Sequence, residues 1–101
     1  MFYLYIIYSS SSDIYYIGHS IDPWDRLAQH NTNSGEKFTG KHFNWQLAAV
    51  FEVSTQRGEA LQIERYIKKQ KSRTLLEKLI NPEFIPTGSL AQLVRVPHLR
   101  D

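Results

Sequence analysis

The sequence predicts an α+β domain in which a small three-stranded antiparallel sheet is flanked by helices. Two runs rich in β-branched and aromatic residues, Phe2–Tyr8 and Ile14–Gly18, are separated by a polar, serine-rich segment. Such a pair of runs favours a β-hairpin. A helix with a strong start comes next, followed by a third apolar run, Trp45–Val53, and two further helical patterns. The predicted order of elements is therefore ββαβαα.

The hairpin collects tyrosines on one surface. Side chains alternate faces along a strand, so Tyr3, Tyr5 and Ile7 share one face. If Ser9–Ser12 forms a four-residue loop, Tyr5 lies opposite Tyr16 on that face. Two interpretations are open, since the phenols either pack across the strands, as aromatic pairs often do, or form a rigid site. Considered by itself, the hairpin favours packing.

The helix after the hairpin carries two candidate site residues. Asp22 can cap its free N–H groups, and Pro23 suits its first position. Arg26 and His30 are four residues apart on one side of this helix, which we expect to end near Asn31. A guanidinium matches phosphate oxygens, and an imidazole exchanges protons near neutral pH. The alternative is an exposed helix with a polar outer side.

Two more helices follow the third strand. Ser54 or Thr55 can cap the first of them, which extends to about Gln70. Ser72 can cap the second, which ends before Pro82 because the residue preceding a proline is disfavoured in a helix. Its apolar residues form one stripe, Leu75, Leu76, Leu79 and Ile80.

Two segments have a weaker pattern. Residues 32–44 predict a long loop, and loops of this length in compact domains are often functional. After Ile85 we expect a tail in which Leu90–Val96 packs on the domain as an extended or short helical piece, with a loose end. We therefore predict one domain over residues 1–84, followed by a tail over residues 85–101.

The composition excludes several classes of protein. A chain of 101 residues has room for one ordinary domain. It contains no cysteine, which excludes thiol catalysis, thiolate metal sites and disulfides. No apolar run approaches the length that spans a membrane, so we expect no membrane partner. The N-terminus lacks the pattern of an export signal, and we expect a cytoplasmic protein.

The positive charge of the chain is unevenly distributed. A formal net charge of +2 does not by itself indicate nucleic-acid binding. Residues 65–73, however, contain five cations and no acid, namely Arg65, Lys68, Lys69, Lys71 and Arg73. Such a run is most often a solvated helix face, but it is also typical of a patch that faces phosphates.

Glu64 is the most informative charged residue of the second helix. On a helical wheel it falls within the apolar arc, between Ala60 and Leu61. Burying an unpaired carboxylate is very costly, so Glu64 must be paired or bound to a cation if it is buried. A structural salt bridge and a metal site both remain open at this point. Glu59 lies away from the arc, and we expect it in solvent.

The candidate residues together provide two phenols, a guanidinium, an imidazole and a carboxylate. They are Tyr5, Tyr16, Arg26, His30 and Glu64. Hydrolysis of a phosphodiester needs an activated water, a cation for the charged transition state and help for the leaving oxygen. The set is sufficient in kind for that reaction, although it is not unique to it. His19, His42 and His98 show no metal-ligand spacing, and we expect them on the surface or in loops.

The pattern resembles the GIY-YIG nuclease superfamily, in particular its small stand-alone bacterial members. The hallmark of the family is a pair of tripeptides on a hairpin, and here Tyr3-Leu4-Tyr5 is followed, ten residues later, by Tyr16-Ile17-Gly18. Tyr3 and Leu4 depart from the first tripeptide, which the small members commonly relax. The later matches are Arg26-Leu27, His30-Asn31, Lys37-Phe38-Thr39, Trp45-Gln46-Leu47, Glu59-Ala60-Leu61, Glu64 and the basic turn at 68–72. The resemblance covers residues 2 to about 84.

The resemblance implies a metal-dependent nuclease. A single divalent ion, Mg²⁺ or Mn²⁺, would be held by Glu64. Tyr5 would act as the general base or assist it, and Arg26 would stabilise the charge on the phosphoryl group. Tyr16 and His30 would orient water or shuttle protons. Active relatives also carry an asparagine after the glutamate, for which Asn81 is the candidate here.

The resemblance also implies a substrate. We expect hydrolysis of DNA in repair or recombination. Relatives that cut specific sequences carry an added binding domain, and this sequence shows none. We therefore expect selectivity for the structure of the DNA and not for its sequence. The alternative is a non-catalytic nucleic-acid-binding module of the same fold. A third possibility is a domain that acts through a protein partner or as a homo-oligomer.

Overall fold

The computed structural model describes residues 1–32 and 44–97. The strands are β1 (Phe2–Ser9), β2 (Ile14–Ser20), β3 (Trp45–Ser54) and β4 (Val94–Val96). The α-helices are α1 (Pro23–Thr32), α2 (Arg57–Gln70) and α3 (Arg73–Ile80), and a 3₁₀ turn spans Gly88–Leu90. The predicted α+β class is confirmed, and the first six elements follow the order ββαβαα. The predicted loop over 32–44 falls mainly outside the described residues.

The hairpin forms as predicted, with a loop displaced by one residue. The loop consists of residues 10–13, because Ser9 still pairs with Ile14. Asp13 ends this loop with a positive φ of 54°, a conformation that aspartate tolerates better than most residues. The expected loop over Ser9–Ser12 is therefore wrong, since four consecutive serines offer no signal that distinguishes one alignment from the next.

The displaced loop changes the pairing but not the faces. Tyr5 is paired with Gly18, and Tyr16 is paired with Ile7. The expected pairing of Tyr5 with Tyr16 is wrong by two residues. Because side chains alternate with a period of two, a shift of two leaves every side chain on its predicted face. Tyr5 and Tyr16 therefore still share one face of the sheet.

The sheet has the strand order β2-β1-β3-β4, and every pair is antiparallel. The predicted three-stranded sheet is thus one strand too small. The added strand β4 pairs with residues 50–52 of β3. Its three residues are too short a run to predict a strand from the sequence. The strand at the opposite edge is β2.

The central strand β1 is buried on both faces, and each face has its own core. Residues 4–7 of β1 are at most 1% exposed. One core joins the sheet to α2 and α3 through Leu4, Ile6, Ile17, Phe51, Ile63, Ile67 and Leu79. The other joins it to α1 through Tyr5, Ile7, Trp45, Leu47, Val50, Trp24 and Leu27. Burial of each large apolar side chain contributes about 1.5–3 kcal/mol, so these clusters hold the helices on the sheet.

The ends of α1 and α3 follow the predicted capping. The Asp22 carboxylate accepts a hydrogen bond from the Asp25 amide at 3.1 Å. The Ser72 hydroxyl accepts one from the Leu75 amide at 3.1 Å. Each cap satisfies a backbone N–H that the first turn of a helix leaves unpaired.

The start of α2 differs from the prediction. Its N-cap residue is Gln56, which makes no side-chain capping bond. Ser54, one of the two predicted caps, instead accepts from the Gln56 amide at 3.0 Å and donates to the Glu59 carboxylate. Ser54 lies two residues before the N-cap residue Gln56, and its hydrogen bonds shape the turn that leads into α2. Glu59 is exposed, as expected.

Asn31 connects the end of α1 to the start of β3. Its side-chain amide donates to the Trp45 carbonyl at 3.0 Å, and its side-chain oxygen accepts from the Trp45 amide at 2.9 Å. This two-bond contact imitates the pairing of one strand with another. It holds together the two ends of the segment 32–44.

The C-terminal strand is fixed to the domain by Arg95. Its Nη2 donates to the backbone oxygens of Leu79 at 2.6 Å and Asn81 at 2.9 Å, where α3 ends. Its guanidinium lies 4.7 Å from the centre of the Phe51 ring. Desolvation lowers the pKa of Arg95, yet the group remains a cation at any ordinary pH. Arg95 therefore joins β4, β3 and α3 through one side chain.

Candidate active site

The candidate site residues meet at the edge strand β2. Helix α1 packs on one face of the sheet and α2 on the other. Tyr16 and Gly18 of β2 point to the α1 face, and His19 points to the α2 face. Side chains from the two faces therefore come together around the outer edge of β2, which pairs with no second strand among the described residues. From the sequence, these side chains were expected on a single face.

Tyr5 and His30 form the buried part of the site. The Tyr5 hydroxyl and His30 Nε2 are joined by a hydrogen bond of 2.9 Å. Tyr5 is 1% exposed and His30 is 5% exposed. Of the two interpretations of His30, an exposed polar helix side does not hold, because the position one turn after Arg26 faces the sheet. The two rings act as one unit, since neither can move without breaking this bond.

Gly18 provides the space that Tyr5 occupies. A Cβ at position 18 would lie 2.6 Å from the Tyr5 hydroxyl oxygen and 2.8 Å from the adjoining ring carbon. Both distances are far inside van der Waals contact. The glycine that ends the second tripeptide is therefore required by the tyrosine that ends the first.

Tyr16 lies nearer the surface than Tyr5. Its ring is 5.2 Å from the His30 ring and 6.5 Å from the Trp45 ring, both in edge-to-face arrangements. The Lys68 ammonium lies 5.4 Å from the centre of the Tyr16 ring. Lys68 belongs to α2, so this contact crosses the edge of the sheet. Tyr16 thus connects the two halves of the site.

Arg26 contributes the positive charge on the α1 side. It is half-buried, and its Nη1 donates to the Gln29 side-chain oxygen at 2.6 Å. Gln29 in turn donates to the Asp25 carboxylate at 2.7 Å. The chain of hydrogen bonds fixes the guanidinium on the helix surface.

The ionisation of Tyr5 reports the groups that surround it. Burial raises the pKa of Tyr5 to about 12, and a hydrogen bond from Arg26 opposes that rise. The nearby phenol of Tyr16 and the carboxylate of Glu64 add to it. Arg26, Tyr16 and Glu64 therefore all act on the ionisation of Tyr5, and His30 is bonded to its hydroxyl.

Glu64 is enclosed and doubly paired. Its side chain is 12% exposed, as its place in the apolar arc predicts. Oε1 accepts from His19 Nδ1 at 2.8 Å, and Oε2 accepts from Lys68 Nζ at 3.1 Å. A carboxylate buried this deeply must be paired, because burying the charge without a partner would cost much free energy.

His19 is a site residue that the sequence analysis missed. It was expected on the surface or in a loop, but it lies in β2 with its side chain 16% exposed and bonded to Glu64. The strand period could have found it, because residue 19 faces opposite to Tyr16 and so faces α2. His42 and His98 lie outside the described residues.

A divalent ion at this site would depend on one carboxylate. Residues 1–32 and 44–97 contain no group of three or more His, Asp or Glu side chains able to hold a metal. Mg²⁺ nevertheless fits a single carboxylate, since it keeps several waters and binds substrate phosphates directly. The Lys68 ammonium at Glu64 Oε2 shows that the position accepts a cation. The donor set is therefore compatible with a divalent ion bound together with nucleic acid.

The basic run of residues 65–73 is divided between two surfaces. Lys68 contacts Glu64 and Tyr16, and Lys71 and Arg73 border a cavity beside β2. Arg65 and Lys69 are exposed on α2 and do not line that cavity. The run is thus not a uniform patch, because the helix turns its residues to different sides.

Arg73 is partly occupied by the hairpin loop. It donates to the backbone oxygen of Asp13 at 2.8 Å and to its carboxylate at 2.6 Å. Tyr8 donates to the same carboxylate at 2.6 Å. The hydrogen bond from Tyr8, followed by that from Arg73, lowers the pKa of Asp13. This contact fixes the loop of the hairpin against the start of α3.

Asn81 has a structural position. It ends α3, and its side-chain oxygen accepts from the Glu83 amide at 3.0 Å. Its backbone oxygen accepts from Arg95 and from the Phe84 amide. These bonds form the turn that follows α3, at the end of the helix opposite to Ser72.

A family model accounts for most of the chain. The model of the GIY-YIG catalytic domain matches residues 1–79. The chain belongs to the GIY-YIG family. No curated protein matches it. The matched region contains all five candidate catalytic residues and ends before β4 begins.

Family membership gives the broad chemistry of this GIY-YIG domain. The domain has a nuclease-type fold, which implies nucleic acid as its substrate. GIY-YIG nucleases generally use divalent metal ions. Among the helices of the described residues, none is long and apolar enough to cross a membrane.

Proposed function

We propose that this GIY-YIG domain is a divalent-metal-dependent endonuclease that hydrolyses phosphodiester bonds in DNA. The observation that carries the proposal is the series of contacts that joins the buried pair of Tyr5 and His30, through the ring of Tyr16 and the ammonium of Lys68, to the carboxylate of Glu64. A cation, phenols and a carboxylate gathered at one edge of a sheet match the needs of phosphoryl transfer.

Glu64 would hold Mg²⁺ or Mn²⁺, which when bound supplies positive charge to the phosphoryl oxygens. His19 would hold the carboxylate in place through its Nδ1–H, leaving Oε2 as the oxygen available to the ion. Lys68, which contacts Oε2, would turn to a phosphate when nucleic acid binds. Arg26 would contact the phosphate from the α1 side, where its planar guanidinium stabilises the charge of the transition state.

Tyr5 and His30 would take the proton of the attacking water as a pair. With a pKa of about 12, Tyr5 keeps its proton at neutral pH and is not a phenolate. It can therefore act as a base only if its own proton passes to His30 Nε2 as it accepts one from water. The 2.9 Å hydrogen bond supplies that path. Tyr16, the more accessible phenol, would orient the water or the phosphate.

One observation favours the alternative of a non-catalytic nucleic-acid-binding module. Lys68 occupies the same Glu64 oxygen that an ion would use, and a permanent ion pair there would leave no metal site. That alternative predicts salt-sensitive binding of nucleic acid that needs no metal. A role in DNA repair or recombination, a location in the cytoplasm, and a protein partner or homo-oligomer remain predictions.

A cleavage screen tests the proposal. The full chain would be incubated with single-stranded, duplex and branched DNA and with RNA, with Mg²⁺, with Mn²⁺ or with EDTA. We expect cleavage that requires the metal and that is lost in Glu64→Ala. Binding without cleavage of any substrate would favour the alternative, and activity that survives Glu64→Ala would contradict the assignment of the site.

A further inference from the structure

A cavity of about 350 Å³ lies beside the candidate active site. It is bounded by residues 13–17 along the free edge of β2, by the end of α2 and by the start of α3. Its volume is at the lower end of the ~300–1,000 Å³ typical of sites for small ligands. Tyr16 and Lys68 line the cavity and also belong to the active site, so the two are continuous.

The lining of the cavity combines an apolar surface with a positively charged rim. Ile17, Ile67 and Leu76 supply aliphatic surface, and Tyr15 and Tyr16 supply aromatic surface. The rim carries Lys68, Lys71 and Arg73. Lys68 pairs with Glu64, and Arg73 pairs with Asp13 and Glu77. Within the described ranges Lys71 makes no ion pair.

We infer that this cavity receives the base of an unpaired nucleotide next to the phosphodiester that is cut. An apolar and aromatic lining accommodates a nucleobase, and neighbouring lysines accommodate its phosphates, which is the combination that single-stranded nucleic acids require. A base within a duplex must first be unpaired and unstacked before it can enter a cavity, a cost that an unpaired nucleotide largely avoids. This inference rests on the proposed function and adds a preference to it, for substrates with an unpaired nucleotide at the cleavage site.

The position of the cavity supports this occupant. The outer edge of β2 is not paired with another strand of the described residues. The nucleotide would therefore lie along β2, with Tyr16 and Lys68 shared between the base in the cavity and the phosphate at the active site. Lys71 would neutralise the phosphate on the other side of the base.

The test measures binding in EDTA, so that it is independent of cleavage. Two DNA duplexes with a single-stranded overhang would differ at one position, where the first unpaired nucleotide carries a base or is abasic. Affinities would be measured at low salt by fluorescence anisotropy. We expect the full chain to bind the base-containing DNA about tenfold more tightly.

Two leucines of α3 provide a matched pair of variants. Leu75 and Leu76 both pack against the same core, but only Leu76 lines the cavity. Leu76→Ala should reduce the preference for the base to about twofold or less, whereas Leu75→Ala should retain it. Thermal unfolding of both variants would verify that each is folded at the temperature of the binding measurement.

A second pair tests the charged rim. Lys71→Gln should weaken binding of both DNAs, and Lys69→Gln, which removes the same charge outside the cavity, should weaken it less. Equal affinity for the two DNAs in the unmodified chain would overturn the inference while leaving the proposed function intact. A chain that binds neither DNA in EDTA would also overturn the inference, whereas the proposed function is overturned only if the cleavage screen with Mg²⁺ or Mn²⁺ finds no activity.

Discussion

The ring of Tyr5 lies over Gly18, with its hydroxyl oxygen 2.6 Å from the place where a side chain at position 18 would begin. The two residues face each other on adjacent strands. The same hydroxyl is bonded to His30 on α1. Gly18 therefore determines the position of a hydroxyl that we place in the reaction, although it has no reactive group of its own.

Gly18→Ala should impair both folding and cleavage. The added methyl group must displace the Tyr5 ring, which is packed on every side, and overpacking of this kind costs about 1–3 kcal/mol. Displacement of the hydroxyl would also break its bond to His30. Urea denaturation would measure the loss of stability, and single-turnover cleavage would measure the loss of activity.

Gly58 provides the control for that substitution. It lies in α2, and a Cβ there would meet no atom within 4 Å. Gly58→Ala should therefore stabilise the protein by about 0.5–1 kcal/mol through the higher helix propensity of alanine, with no change in cleavage. Equal effects of the two substitutions would contradict the role given to Gly18.

The raised pKa of Tyr5 predicts a loss of stability at high pH. In the unfolded chain a tyrosine ionises near pH 10, and in the folded protein Tyr5 does so at about 12. Below pH 10 both states hold the proton, so the full benefit of the neutral phenol is present. Between pH 10 and 12 only the folded state holds it, so its contribution, up to about 2–3 kcal/mol, is lost as the pH rises.

Tyr5→Phe isolates this contribution, because it removes the ionisable group and keeps the ring. Denaturation of the two proteins across pH 9 to 12 should give a steeper decline for the unmodified chain. Parallel curves would show that Tyr5 ionises near its ordinary pKa and would contradict the buried position of its hydroxyl.

His19 should control the affinity of the metal site. Its Nδ1–H holds Glu64 Oε1, and removal of a partner that orients a metal ligand typically costs about 10–100-fold in affinity. We expect that loss in His19→Ala and a smaller one in His19→Gln, whose amide can still donate. Electron paramagnetic resonance would follow Mn²⁺ binding with a non-hydrolysable DNA present. An unchanged affinity in His19→Ala would remove His19 from the site.

Arg95 should stabilise the fold without taking part in cleavage. Arg95→Ala removes two hydrogen bonds to the end of α3 and the contact with Phe51, for an expected loss of about 1–3 kcal/mol. Arg57→Ala is the control, since Arg57 also lies over a ring, that of Phe2, but is exposed. We expect it to cost less than about 1 kcal/mol. An equally small loss in Arg95→Ala would show that its hydrogen bonds to the end of α3 do not stabilise the fold.

Local signals were sufficient for most of the fold. The caps at Asp22 and Ser72 and the alternation along the first two strands depend on a few neighbouring residues, and each was predicted correctly. The register of the hairpin was not, because the serines of the loop carry no signal for it, and the packing of Tyr5 over Gly18 joins residues that are distant in the sequence. The strand β4 was missed because its few residues are held by Arg95, which contacts residues 14 and 16 positions away.

The sequence indicated which residues to propose for the candidate site, but not on which faces of the sheet they lie. Tyr5, Arg26 and Glu64 were each identified as candidates, and both Arg26 and Glu64 act on the ionisation of Tyr5. The position of Glu64 on the opposite face of the sheet could not be predicted, because a helical wheel gives the buried side of a helix and not the face that the helix covers. The strand period puts His19 on the face opposite to Tyr16, but its role was missed because its partner Glu64 was not known to lie on that face.

The role of Glu64 is the central claim, and one comparison of rates tests it most directly. Single-turnover cleavage of DNA in Mg²⁺ would be measured for the unmodified chain, for Glu64→Gln and for Glu59→Gln, an exposed neighbour on the same helix. We predict that Glu64→Gln lowers the rate by at least about 100-fold, as expected when a preorganised charge is removed from a reaction centre, and that Glu59→Gln leaves it unchanged. Cleavage by Glu64→Gln at the rate of the unmodified chain would contradict the account.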